Sequence, residues 1–194
     1  MIRRFGSPIP LLALVLWAFP CGLARGDVTV PIHLQAQLVS KIGSFDRNFS
    51  ARAGERARVL VVERTGDDDS LELGAHFASA LISLRKIGGI TVLVEELAFT
   101  TAASLAERCR GQRTSVVYLS TGLDADIRDI STALSGVDVL TVGATALYTS
   151  HGTVVGFDLE EGKPRIVVNL THAKAQNVAF RGELLALARI VNTD

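Results

Sequence analysis

Residues 137–170, VDVLTVGATALYTSHGTVVGFDLEEGKPRIVVNL, decide how this chain folds. Residues 137–142 form a short apolar run that Gly143 breaks, and across residues 153–159 Val155, Phe157 and Leu159 fall on one face of an alternating strand. Glu160, Glu161, Gly162 and Lys163 follow. Gly162 can take the positive φ that a short hairpin loop needs, after which Ile166, Val168 and Leu170 alternate again. The two runs predict a β-hairpin. Beyond it, Asn169 or Thr171 is placed to cap a short helix, and from Arg181 onward Leu184, Leu187, Ala188 and Val191 recur at helical spacing, which predicts a closing helix.

Working upstream, apolar runs and helical stripes alternate. Pro31 suits the first turn of a helix with a stripe of Leu34, Leu38, Ile42 and Phe45. Residues 48–58 mix Ser, Gly and charge without a period and read as a loop into residues 59–62, an apolar run of β-branched character expected of a buried strand. Leu71, Leu73, Phe77, Leu81 and Leu84 mark a helix begun by Asp69 or Ser70 and stopped by Gly88-Gly89, before a strand at residues 90–94. Ala102, Leu105, Ala106 and Cys109 give a third helical face, residues 116–119 a third strand, and Leu123, Ile127, Ile130 and Leu134 a fourth helix. This alternation predicts an α/β, Rossmann-like fold: a mostly parallel sheet with helices on both faces and a C-terminal antiparallel hairpin at one edge. No internal repeat or flexible linker divides residues 27–194, which are expected to form one domain.

Val139-Leu140-Thr141-Val142, residues 152–159, the Glu-Gly turn, residues 166–170 and Leu184-Leu185-Ala186-Leu187-Ala188 follow one another in an order that resembles the YfiR-like family. The resemblance implies an exported bacterial protein that restrains a membrane-bound diguanylate cyclase, and it leans toward a dimer. It is specific over the last third. The aromatic N-terminal segment ending in Trp-Pro that marks the family has no counterpart among residues 34–49, and the cysteine pairs of some members are absent.

Arg3 and Arg4 precede an apolar run at residues 11–19, and Gly22-Leu23-Ala24 or Ala24-Arg25-Gly26 supplies small residues for cleavage; this is the layout of a secretory signal over residues 1–26. The run is shorter than the ~20 residues that span a bilayer. Cys21, preceded by Ala18-Phe19-Pro20, is a poor lipid-attachment site. Cleavage would remove three of the 20 basic residues and none of the 20 acidic ones, leaving a formal charge of −3, which disfavours nucleic acid as a partner. The expected compartment is the periplasm. Cys109 would then be the sole cysteine, so no intrachain disulfide could form.

Little in the chain announces chemistry. His33, His76, His151 and His172 stand apart from further ligands at metal-binding spacing, so no metal is expected. Asp67-Asp68-Asp69 follows the first long strand and is read as a cap on the positive end of the next helix. No glycine-rich dinucleotide or triphosphate loop or nucleophile elbow occurs, and no paired carboxylates stand out at the ends of core strands, so neither a cofactor nor catalysis is expected. Cys109 shares a face with Leu105 and reads as a buried small hydrophobe.

Two function classes follow. One is a regulator that binds the periplasmic part of a membrane signalling protein, a diguanylate cyclase or sensor kinase. The other is a small-ligand-binding module serving a sensor or transporter, with Thr65, Ser120, Thr121, Gly143 and Thr145 lining a crevice at the carboxyl ends of the strands. The Leu34, Leu38, Ile42 and Phe45 stripe either packs on its own sheet or pairs with a second copy in a two-fold dimer.

Overall fold

The apolar segment Ala57–Glu63 (β1) lies inside the sheet, and six of its seven residues are buried, as expected of a strand covered on both faces. The structure is a computed structural model that describes residues 30–191; the export signal read over residues 1–26 lies outside the described residues. Helices Ile32–Ile42 (α1) and Phe49–Ala53 (α2) precede β1, and Asp68–Leu84 (α3) follows it. Strands Lys86–Ile87 (β2) and Ile90–Ala98 (β3), helix Ala102–Gln112 (α4), strand Val116–Leu119 (β4), helix Ile127–Leu134 (α5) and strand Leu140–Gly143 (β5) come next. Helix Ala146–His151 (α6), strands Val155–Glu160 (β6) and Lys163–Asn169 (β7), helices Leu170–Ala175 (α7) and Gly182–Leu185 (α8), and strand Arg189–Val191 (β8) complete the order.

Among the described residues these strands form one eight-stranded sheet in the order β2-β3-β1-β4-β5-β6-β7-β8. β3-β1-β4-β5 are parallel, and β6 and β7 form the expected antiparallel hairpin, with Glu160 opposite Lys163. Glu161 and Gly162 are its two-residue turn, with φ of 52° and 74°, the pair of positive values that matches the twist of the flanking strands.

The sheet separates two apolar layers. On one face Val59, Val61, Phe77, Leu81 and Val142 join Val39 and Ile42 of α1; on the other, Leu60, Val62, Val117 and Leu119 meet Leu105, Cys109, Ile130 and Leu134 of α4 and α5. The Phe77 and Tyr118 rings stack in the first layer, with centroids 3.6 Å apart.

Several expectations are corrected. The helix predicted from Arg181 ends at Leu185, because Arg189, Ile190 and Val191 pair in parallel with Val167, Val168 and Asn169 as β8. The hairpin therefore sits inside the sheet and β8 forms the edge. Leu187 of the predicted stripe is 65 % exposed. Asp67, from the acidic run read as a cap, caps α3 by accepting from the Ser70 amide, two to three residues before the start read at Asp69 or Ser70, and Arg85 in the left-handed region ends it. Gly88 and Gly89 instead turn the β2–β3 hairpin. Phe49 and Ala53 nucleate α2 within the segment read as a loop, and α6 occupies the link before the hairpin. Leu123 is buried but precedes α5.

α1 is rotated from its sequence reading by one polar residue. Gln35 is fully buried, donates from Nε2 to the Val30 carbonyl at 2.9 Å and the Ala144 carbonyl at 3.1 Å, and accepts from the Tyr118 hydroxyl at 2.9 Å. A buried amide is tolerable only when satisfied, so this network fixes the helix roll. Ala36, Val39 and Ile42 consequently face the core, whereas Leu34, Leu38 and Phe45 sit half-buried at its margin. Ile42, 1 % exposed, is removed from the predicted interface stripe.

Candidate functional site

β1 continues through α3 to β3 on one side, and the chain then crosses to β4 on the other, so the topological switch point lies between β1 and β4. In open α/β sheets the crevice outside the carboxyl ends of such strands is the ordinary ligand site. Here the chain fills it with its own side chains. Ser120, fully buried after β4, donates to the Ser70 carbonyl at 2.7 Å, while the Ser70 hydroxyl donates to the Thr121 carbonyl at 2.7 Å and accepts from the Arg64 amide at 2.9 Å. The Arg64 guanidinium donates from Nε to the Gly122 carbonyl at 2.9 Å, pairs with Asp126, and lies 5.6 Å from the Phe99 ring centroid. A methyl group at Gly122 would approach Asp67 Oδ2 to 2.4 Å, so Gly122 lets the chain pack directly against the Asp67 side chain.

The five predicted crevice residues do not converge as a free polar cradle. The hydroxyl of Ser120 and the carbonyl of Thr121 are engaged with α3. Thr65 is exposed, and its hydroxyl points back to the Phe99 carbonyl at 3.4 Å. Gly143 is buried at the end of β5, where an added methyl would meet Tyr148 Cβ at 2.6 Å; it permits the close packing of α6. Thr145 is half-buried at the start of α6 and makes no side-chain cap. Tyr148 accepts from the Leu123 amide at 2.9 Å and donates to Asp124 at 3.3 Å, and burial raises its pKa, so the phenol keeps its proton.

Two further polar features carry no sequence signal. Arg52, buried in α2, pairs with the fully buried Asp46 at 2.6 Å and with Asp138 at 2.7 Å, and donates to the Asn177 carbonyl at 2.9 Å. Asp46 in turn accepts from the Asn48 and Ala179 amides. The knot ties the segment after α1 to the segment after α7, reinforced by a backbone bridge between Asp46 and Phe180. Asp46 is six residues from Arg52, but Asp138 and Asn177 stand 86 and 125 residues away in the chain, beyond any local pattern. Glu63, at the end of β1, is 5 % exposed, and among the described residues its Oε1 has no hydrogen-bond partner. Burial, and then the charge of Glu96, raise its pKa. It fits under α3 only because Gly74 has no side chain: a Cβ there would lie 2.1 Å from Oε1.

Among the described residues no group of three or more His, Cys, Asp or Glu is placed to hold a metal ion, and no helix is long and apolar enough to cross a membrane. His76 is exposed on α3, and His172 is half-buried beside Ser131, with its pKa lowered by desolvation.

A family model described as YfiR/HmsC-like matches residues 33–189. No curated protein matches the chain. Solved structures share the fold. The ABC domain in complex with L-Trp from Streptococcus pneumonia superposes with a TM-score of 0.59 at 10 % identity, covering 83 % of this chain and 62 % of that one. A conserved domain protein from Vibrio cholerae O1 biovar eltor str. n16961 gives 0.57 at 15 % identity, covering 86 % and 61 %. The ligand-free, open structure of CD0873, a substrate binding protein with adhesive properties from Clostridium difficile, gives 0.54 at 12 % identity, covering 76 % and 58 %. The chain thus spans about three-fifths of the length of these structures.

Proposed function

The chain belongs to the YfiR/HmsC-like family, and from that membership we propose that it is a periplasmic regulatory protein that acts by binding and performs no chemical step of its own. Its partner is the periplasmic part of a membrane signalling protein, a diguanylate cyclase of the cyclic-di-GMP pathway or a sensor kinase. Residues 1–26 have the layout of a cleaved export signal, consistent with that compartment. One observation favours this reading over a solute-binding module: Arg64, Ser70 and Asp126 occupy the switch-point crevice where a small ligand would lie. A solute would have to displace a charge-assisted, partly buried ion pair before making any contact of its own.

Leu34, Leu38 and Phe45 pack against the core from the margin of α1, and the surface they leave open would form a two-fold contact with a second copy. A pull-down from detergent-solubilised membranes, using the mature protein as bait, tests the main reading. Recovery of a cyclase or sensor kinase is expected. Recovery of a transporter alone would replace the regulator with the small-ligand module.

A further inference from the structure

At the opposite, amino edge of the sheet the ends of α2 and α4 and the start of β1 enclose an open groove of about 540 Å³ lined by Arg52, Arg56, Arg58 and Arg113. An adjoining cavity of about 260 Å³ shares Arg52 and Arg113 and adds Arg110. Five arginines therefore line these two adjoining concavities in a chain whose basic and acidic residues number 20 each. Of the acids that also line it, Asp138 is taken up by Arg52 and Asn177, which leaves Glu55.

Arg52 is neutralised by Asp46 and Asp138, and Arg110 reaches the Ala133 carbonyl at 3.3 Å. Arg56, Arg58 and Arg113 form no ion pair among the described residues, unlike Arg64, Arg108, Arg165 and Arg189 but like Arg47, Arg85, Arg128 and Arg181; what sets the three apart is that they line one groove. Helix dipoles account for part of the cluster, since Arg110 lies in the last turn of α4 and Arg113 caps it. They do not account for Arg56 and Arg58, which come after the Gly54 cap of α2 and at the start of β1. Unpaired like charges around one concavity repel one another, and an anion seated among them removes that cost. The planar fork of arginine matches the oxygens of phosphate and carboxylate groups, and the groove falls within the ~300–1,000 Å³ of small-molecule sites.

We propose that this amino-edge groove binds a small polyvalent oxyanion, a ligand with clustered phosphate or carboxylate oxygens, through Arg56, Arg58 and Arg113. The site is remote from the switch-point crevice and does not depend on the identity of the protein partner. Titration calorimetry and thermal unfolding of the mature protein at low ionic strength, with pyrophosphate and citrate as probes, test it. Saturable binding of at least one probe is expected. The Arg56→Gln/Arg58→Gln/Arg113→Gln variant should bind at least ten-fold more weakly, while circular dichroism shows the fold retained. Arg47→Gln/Arg85→Gln/Arg181→Gln, which removes the same charge outside the groove, should bind like the wild type. Pyrophosphate alone would assign a phosphate-bearing ligand, citrate alone a polycarboxylate. The proposal is overturned if neither probe binds, if sodium chloride at matched ionic strength reproduces the effect, or if both triple variants weaken binding equally.

Discussion

Glu63 lies beneath α3 with Oε1 unpartnered among the described residues, so the fold bears a desolvation cost whenever that carboxylate is charged. Its folded pKa lies above the ordinary value of 4.5, meaning that the folded chain holds the proton more tightly than the unfolded one. The stability that the protonated acid contributes is fully present below pH 4.5 and is lost as the pH rises through the folded value. Glu63→Gln keeps the shape and removes the charge. At pH 7 it should stabilise the protein by on the order of 1 kcal/mol, about 2–4 °C in Tm for a domain of this size, and the gain should vanish below pH 4.5. Thermal unfolding followed by circular dichroism at pH 7 and pH 4 checks this; an equal Tm difference at both would refute the charge argument. Cys109, by contrast, was legible from its spacing. It is 2 % exposed, and burial pushes its thiol up to about 11, consistent with a packed small hydrophobe.

At the scale of elements, the knot around Arg52 joins the N-terminal helices to the segment beyond α7. Its two ion pairs differ in value. The Arg52–Asp138 pair has a half-exposed carboxylate and contributes about 0–1 kcal/mol. The Arg52–Asp46 pair is enclosed on both sides, with side-chain exposures of 2 % and 0 %. Arg52→Met would leave Asp46 as an uncompensated buried charge and should cost about 3–5 kcal/mol. Asp46→Asn with Arg52→Met should recover part of that loss, because no unpaired charge then remains. Urea unfolding of the single and double variants measures the difference; equal destabilisation would mean that lost packing dominates. The same scale explains why the predicted closing helix stops short. Four residues of α8 close too few hydrogen bonds to sustain a helix alone, while the open side of β7 offers Arg189–Val191 a ladder of backbone partners.

For the whole molecule, the proposed two-fold contact has a sharper test than the original stripe allowed, because Ile42 belongs to the core. Leu34→Gln/Leu38→Gln changes only side chains at the half-buried margin, so light scattering should show a dimeric wild type and a monomeric variant of unchanged circular dichroism. A wild type that is monomeric at micromolar concentration would sink the contact. The sequence by itself determined the fold class and the hairpin, since periods of two and 3.6, a two-residue Glu-Gly turn and β-branched runs are local properties of the backbone and its immediate neighbours. It also marked the capping role of Asn169, whose side chain accepts from the His172 amide. Only tertiary structure decided the place of β8, the roll of α1 about Gln35, the burial of Glu63 under Gly74 and the filling of the switch-point crevice by Arg64. Each depends on a polar group or strand edge meeting a partner in another element. Solvation, which makes an unsatisfied buried group costly, acts on such meetings only once the chain has folded.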